Sequence, residues 1–325
     1  MTELDRAVAL LRAGELVAFP TETVYGLGAD AGQPAAIAKI FAAKGRPADH
    51  PVIVHIPDVS HLPRWAIDIP TLAHQLAKAF WPGPLTLILK RQSRVSGALT
   101  GGQDTIGLRV PNHPIALGLL RAFDGGIAAP SANRFGRISP TTAAHVREEL
   151  GGSVQLILDG GACEVGIEST IVDLTGERPQ ILRPGMISAE ALSAVIGESL
   201  YAGTEVRQKS PRVSGSLEAH YAPRTPLQLC SASAIAEQIR EAKLRGERIA
   251  VLAIDGESPH LENVLWQTAA PDAPTFAHDL YASLRQLDAA KCARIIVQQV
   301  PTDVAWQAIA DRLQRAAVGS GGLHQ

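Results

Sequence analysis

Two cations separated by a single glycine, Lys44-Gly45-Arg46, stand at the head of the stretch Lys44–His55, whose path Pro47 and Pro51 stiffen. An ammonium and a guanidinium on a constrained loop suit a polyanion such as a triphosphate. A plainer reading is a helix that ends in cations complementing its dipole. Arg109 poses a second question. It lies in Thr105-Ile106-Gly107-Leu108-Arg109-Val110, an alternating run that puts Thr105, Gly107 and Arg109 on one face of a strand. An unpaired charge among apolar neighbours is costly, so Arg109 needs a structural carboxylate or the carboxylate of a ligand. Small hydroxyl, amide and cationic groups recur where apolar runs end: Thr23, Ser131, Asn133, Ser169 and Arg183. Polar groups gathered outside strand ends mark the ligand crevice of open α/β sheets. His55, inside an apolar run, reads more readily as a satisfied core residue than as a ligand group.

Other chemistries find no support. Gly26, Gly28 and Gly32 give GxGxxxG rather than the dinucleotide GxGxxG, and there is no GxxxxGK[ST] phosphate loop. Cys163, Cys230 and Cys292 are far apart and odd in number, which suits a reducing compartment and gives no zinc spacing. No catalytic triad and no evident nucleophilic cysteine are present.

The elements that must carry these groups alternate. Leu4–Ala13 has helical spacing and ends at Gly14; Leu16–Phe19 reads as a buried strand. Pro20–Gly28 follows, rich in hydroxyls and glycine, as a ligand loop needs or as an ordinary turn would be. Pro34–Ala43 is a predicted helix with Pro34 in its first turn and Ile37, Ile40 and Phe41 on one face. Strands are expected at Val52–Ile56, Leu85–Leu89, Thr105–Val110, Ile127–Ala129, Val154–Leu158, Ile171–Leu174 and Gln180–Arg183. Helices are expected at Pro70–Phe80, ended by Trp81-Pro82-Gly83-Pro84, at Pro114–Phe123, from Ser139-Pro140 to about Leu150, and at Ser188–Val195. Thr100–Asp104 reads as a loop. From Tyr201 to Thr225 periodicity is lost; such a length is either a tether or a functional lid. A second pattern then begins, with strands at Pro226–Cys230, Arg248–Ala253 and Ala293–Val297, and helices at Ala234–Leu244, Phe276–Leu287 and Val304–Ala317. It predicts a small parallel α/β unit.

Composition frames this. Two domains fit 325 residues, and 46% hydrophobic with 19% charged residues fits a globular protein with a substantial core. The net charge of −2, and a balance of 17 Lys+Arg against 17 Asp+Glu over residues 1–186, exclude a generic nucleic-acid binder; an RNA contact would need a local patch. The N-terminal residues predict no secretory signal, no apolar run reaches a membrane span, and a cytoplasmic location is expected.

Taken as an ordered set, Phe19–Leu27, Lys44-Gly45-Arg46-Pro47, Trp81-Pro82-Gly83-Pro84, Gly107-Leu108-Arg109-Val110-Pro111, Ala129-Pro130-Ser131-Ala132-Asn133, Glu168-Ser169-Thr170-Ile171 and Leu182-Arg183-Pro184-Gly185 resemble the YrdC-type threonylcarbamoyl-AMP synthases. His220-Tyr221-Ala222-Pro223 and the second unit resemble that family's longer, two-domain branch. The resemblance implies a twisted open α/β sheet in a catalytic domain over 1–200, a linker or lid over 201–225, and a small Rossmann-like parallel α/β domain over 226–325. It implies synthesis of L-threonylcarbamoyl-AMP from L-threonine, bicarbonate or CO2, and ATP, with release of pyrophosphate, for threonylcarbamoyladenosine in tRNA. By that resemblance the threonine site falls on Thr23, His55, Arg109, Ser131 and Ser169. The ATP site falls on Lys44, Arg46, His50, Thr105, Asn133, Thr141, Arg183, His220 and Tyr221, with Mg²⁺ accompanying the nucleotide. No covalent catalytic residue and no protein metal ligand is assigned. The tRNA threonylcarbamoyl-transferase complex and tRNA are the further partners it opens, and no membrane. Two departures stand out: His50 replaces the family's common Asn before Pro51, and Ser214-Gly215-Ser216 replaces its usual Pro-Gly-Met. The competing class is an RNA-binding module that turns over no nucleotide.

Overall fold

The computed structural model describes residues 2–198, 200 and 210–322. They form two compact units, residues 1–135 with 140–216 and residues 136–139 with 217–325. Composition sets the linker at 201–225; the units divide within it, between Ser216 and Leu217, and the four residues 136–139 join the second unit. Residues 201–209 of that linker lie outside the described residues, and 210–225 carry no helix or strand.

In the first unit the strands are β1 (Val17–Phe19), β2 (Gly26–Asp30), β3 (Val54–His55), β4 (Ala66–Ile67), β5 (Leu85–Arg91), β6 (Thr105–Arg109), β7 (Ile127–Ala128), β8 (Leu156–Ile157), β9 (Thr170–Asp173) and β10 (Gln180–Arg183). They make one mixed sheet in the order β10-β9-β5-β6-β3-β7-β2-β1-β8, with β4 beside β5. The pairs β3–β6, β5–β9 and β1–β8 are parallel, and the rest antiparallel. Register in β3–β6 sets His55 opposite Arg109.

The helix Pro34–Lys44 shows how one element aims a functional group. Pro34 opens it, and Ile37, Ile40, Phe41 and Lys44 share its buried stripe. Gly45 closes it in the left-handed conformation at φ 62, with its N–H and that of Arg46 returning to the carbonyls of Ala42 and Phe41. A side chain would be strained at that φ, so glycine between the two cations is a backbone requirement.

Several sequence-based boundaries are corrected. The last three residues of the expected ligand loop, 26–28, open β2, a strand obscured by its glycines. Gly28 is small because a Cβ there would stand 2.9 Å from both the Phe19 ring and the Val17 carbonyl of β1. The helix expected from Ser139 begins at Ala143, capped by the Thr142 hydroxyl, which accepts from the His145 N–H. The run Val52–Ile56 contributes only Val54–His55 to the ladder, and the Thr100–Asp104 loop takes in the end of a short helix, Gly97–Thr100.

The second unit contains β11 (Leu227–Cys230), β12 (Ile249–Ala253), β13 (Val264–Thr268) and β14 (Arg294–Gln298). They form an all-parallel sheet in the order β11-β14-β12-β13, with helices at Ala232–Arg245, Ala273–Ala289 and Gln307–Gly319. The strand β13, with its half-exposed Leu-Trp-Gln centre, lies at the edge of this sheet and is missed by reading apolar runs. All three cysteines are free and buried.

Candidate functional site

Arg109 is 4% exposed, and each guanidinium nitrogen meets the protein. Nε donates to the Gly83 carbonyl at 3.2 Å, Nη1 donates to the Thr23 hydroxyl at 2.9 Å, and Nη2 lies 2.7 Å from Glu22 Oε1. The Trp81–Pro84 breaker therefore supplies an acceptor to a charge two strands of sequence away, while the Pro20–Tyr25 turn supplies a hydroxyl and a carboxylate. That turn is tightly held. The Thr21 hydroxyl donates to the Val24 carbonyl at 2.7 Å, the Glu22 carbonyl accepts from Val165 N–H at 2.7 Å, and the Tyr25 N–H reaches the Pro140 carbonyl at 2.9 Å. Sequence left Arg109 with two readings, a structural or a ligand carboxylate. The structural partner exists, and it is Glu22, to which the sequence reading gave no role. The available signal was an acid in a loop otherwise made of hydroxyls and glycine.

His55, 4% exposed, stands beside Arg109 with no hydrogen-bond partner on Nδ1. Burial, and then the Arg109 charge, hold its pKa well below the usual 6.5, so the ring is neutral. The plain expectation of a satisfied core histidine fails at that nitrogen.

Lys44 is 3% exposed and directs Nζ to the carbonyls of Ser131 and Asn133, each at 2.5 Å. The polar turn after β7 thus meets the lysine through its backbone, which leaves the Ser131 side chain half-buried and uncommitted to Lys44. Burial, and next the neighbouring Arg46 charge, push the Lys44 pKa well below 10.5, against the pull of Glu149 and Glu168. Arg46 donates from Nη2 to the Pro51 carbonyl at 2.8 Å, across the turn that carries His50. His50 packs against Phe135 at a 5.3 Å ring separation; burial and then Arg46 lower its pKa, which keeps a neutral imidazole able to hydrogen-bond. That turn is pressed from outside by Gly101, where a Cβ would fall 2.1 Å from the Asp49 carbonyl. Asn133 donates Nδ2 to the Arg134 carbonyl at 2.7 Å, Thr141 approaches His145 at 3.4 Å, and Thr105 is half-buried at the start of β6.

Arg183 organises a third group. Nη2 donates to the Ser169 hydroxyl at 3.1 Å and carbonyl at 2.9 Å, and Nη1 donates to the Ser214 carbonyl at 2.8 Å. The Ser169 hydroxyl also meets Thr86 on β5 at 2.8 Å. Gly185 packs against this corner so closely that a Cβ would lie 2.4 Å from the Thr170 nitrogen. Ser214 belongs to a strap fixed to the first unit. Arg212 reaches Asp49 at 3.3 Å and the Gly101 carbonyl at 2.9 Å, and Val213 is buried with Ile88 and Ile171.

The structure therefore brings together Thr23, Arg109 and His55; Lys44, Arg46 and His50 with the backbone at Ser131 and Asn133; and Ser169 with Arg183. His220 and Tyr221 belong to the second unit. There Tyr221 is 1% exposed, stacks on Tyr281 at 5.8 Å and lies under Arg312, 5.2 Å from its ring centre. Among the described residues no cluster of His, Cys, Asp and Glu could hold a metal ion, and no helix is long and apolar enough to cross a membrane.

Comparison with known proteins extends over the whole chain. The family described as Sua5, YciO and YrdC (telomere recombination) matches residues 9–185, and the threonylcarbamoyl-AMP synthase C-terminal domain matches 187–318. A threonylcarbamoyl-AMP synthase of Bacillus subtilis is 42% identical over 98% of this chain and 93% of its own. One from Pyrococcus abyssi is 39% identical over 96% of this chain and 93% of its own. The crystal structure of P. abyssi Sua5 complexed with L-threonine matches with a TM-score of 0.90 at 37% identity, covering 100% of this chain and 97% of that one.

Proposed function

The chain belongs to the threonylcarbamoyl-AMP synthase family, and from that premise we propose how its first unit performs the reaction. L-Threonine, bicarbonate or CO2, and ATP give L-threonylcarbamoyl-AMP and pyrophosphate, and the product serves threonylcarbamoylation of the adenosine beside the tRNA anticodon. The observation that carries the substrate assignment is the Arg109–Thr23 hydrogen bond beside a neutral His55 with an unpartnered nitrogen. This is a buried cation, a hydroxyl and a free hydrogen-bonding group, the complement of a small hydroxy amino acid. Ser131 and Ser169 complete the proposed threonine site.

The proposed ATP site of the first unit comprises Lys44, Arg46, His50, Thr105, Asn133, Thr141 and Arg183. The carbamate oxygen attacks the α-phosphorus and pyrophosphate leaves. Such a displacement asks the protein for positioning and charge neutralisation rather than a covalent nucleophile. Lys44, Arg46 and Arg183 are the groups that neutralise phosphate. Lys44 rests on two carbonyls and gains a true counter-charge when phosphate arrives. Mg²⁺, arriving with the nucleotide, would add charge neutralisation beside Lys44, Arg46 and Arg183. The strap of residues 210–216, tied to Arg183 through Ser214, is proposed as the hinge side of a lid over the nucleotide, where exclusion of water protects a labile mixed anhydride. A cytoplasmic location and delivery to the tRNA threonylcarbamoyl-transferase complex follow from this reading.

Incubation with ATP, bicarbonate and L-threonine should release pyrophosphate, dependent on all three. Pyrophosphate release that does not require threonine would overturn the assignment.

A further inference from the structure

Glu22 is a charged group beside the proposed threonine site to which neither the sequence nor the reaction assigns work. It is 2% exposed, and neither carboxylate oxygen receives an aligned hydrogen bond. The guanidinium of Arg109 stands 2.7 Å away, yet its Nη2 N–H is not directed at the carboxylate. Cys163 and His113, which also feel Glu22, are held uncharged. Burial pushes the Cys163 thiol up to about 12, and burial lowers the pKa of the His113 ring. Arg109 is a charged neighbour at 2.7 Å, and the backbone of the turn that carries the carboxylate is held by the Val24, Val165 and Pro140 hydrogen bonds.

A buried ion pair is a poor stabilising device, because desolvation of both charges offsets their attraction and an apolar pair of similar volume often does as well. One whose carboxylate lacks aligned donors is poorer still. The pair has a different fitness. An α-amino acid presents an anion and a cation on a single carbon, and Arg109 and Glu22 present the opposite charges side by side. Entry of the zwitterion exchanges one imperfect ion pair for two. The carboxylate takes Arg109, the ammonium takes Glu22, and no buried charge is left alone with the site empty or full.

We propose that Glu22 is the amine-recognition group of the amino-acid site, so that the Glu22–Arg109 pair selects a zwitterion over a plain hydroxy acid. This rests on the threonine-site reading above. In that arrangement the Thr23 hydroxyl, bonded to both Thr21 at 2.9 Å and Arg109 at 2.9 Å, ties the guanidinium to the turn that carries Glu22.

The test compares two ligands by calorimetry on the full chain: L-threonine and 3-hydroxybutanoate, which keeps the carboxylate and hydroxyl and lacks the amine. Wild type should bind threonine at least about tenfold tighter than the analogue. Glu22→Gln should lose about tenfold or more in threonine affinity and hold the analogue as well as wild type does, so that the preference collapses. Glu22→Asp, which keeps the charge on a shorter stem, should retain part of the preference and covers the case in which Glu22→Gln does not fold. Equal weakening of both ligands in Glu22→Gln would overturn the proposal, because Glu22 would then act only by holding Arg109. A wild type that binds threonine no better than the analogue would overturn it without any variant. A wild type that binds neither ligand would overturn the threonine site itself, and the proposal with it.

Discussion

The two units hide charge very differently. In the first, Glu22, Lys44, Arg46, Arg109, Glu168, Asp173 and Arg183 are all buried; in the second, among the described residues, only Arg312 is. The second unit's sheet is parallel, with Ile249–Ala253 and Ile295–Val297 fully apolar and buried, as crossover helices on a parallel sheet require. Its single buried cation is matched by the adjacent Asp311 and the Tyr221 ring. The first unit instead spends folding free energy on burying charges such as the Glu22–Arg109 pair, whose carboxylate receives no aligned hydrogen bond, and Lys44, which rests on backbone carbonyls. Such groups persist where function demands them. The lesson is that the imperfectly aligned Glu22–Arg109 pair and the His55 nitrogen beside it locate the chemistry more sharply than the fold does.

The most disruptive way to probe this contrast is Arg109→Ala. It strands Glu22, so the first unit should lose about 3–5 kcal/mol in denaturant unfolding. Arg109→Ala combined with Glu22→Gln should recover much of that stability and still fail to bind threonine. Recovery of both would make the pair purely structural.

Ile296→Ala in β14 tests the other side. Removing a fully buried side chain should cost the second unit about 2–5 kcal/mol while calorimetric threonine affinity stays at the wild-type value. A parallel fall in threonine affinity would break the division of labour.

Arg46→Ala should leave a normal melt and cost about 1.5–3 kcal/mol of charged contact, roughly a 10- to 150-fold loss of pyrophosphate release. Wild-type release would remove Arg46 from the nucleotide site. Replacing residues 214–223 by an equal Gly/Ser chain has a smaller expected effect. A lid predicts weaker ATP binding and faster hydrolysis of the intermediate, whereas a tether predicts no change in either.

His55 gives the mildest test. Its folded pKa lies well below 6.5, so near and below that pH the unfolded chain binds a proton that the folded chain refuses. The stability it contributes is complete above about pH 6.5 and is lost as pH falls toward the folded value, by up to about 1.4 kcal/mol per pH unit. Urea melts of wild type and His55→Asn should therefore converge at lower pH. A constant difference between them would show that His55 titrates alike in both states.

Sequence alone carried the local decisions. The stripe Ile37, Ile40, Phe41, the proline at the helix start, the alternation around Arg109 and the breaker at Trp81–Pro84 are governed by neighbours a few residues away, where period, capping and φ preference act. The ordered motifs also sufficed to identify the family. Tertiary structure decided what depends on distant backbone. The glycines of β2 read as loop until a partner strand is seen to leave no room for a Cβ at Gly28. The edge strand β13 carries no continuous apolar run to announce it. Glu22 and Arg109 are 87 positions apart in sequence and 2.7 Å apart in space, and no periodicity links them. A charge can be recognised as buried from its neighbours in sequence, but its partner is fixed only when the sheet brings two strand ends together, because Coulomb energy depends on distance through space.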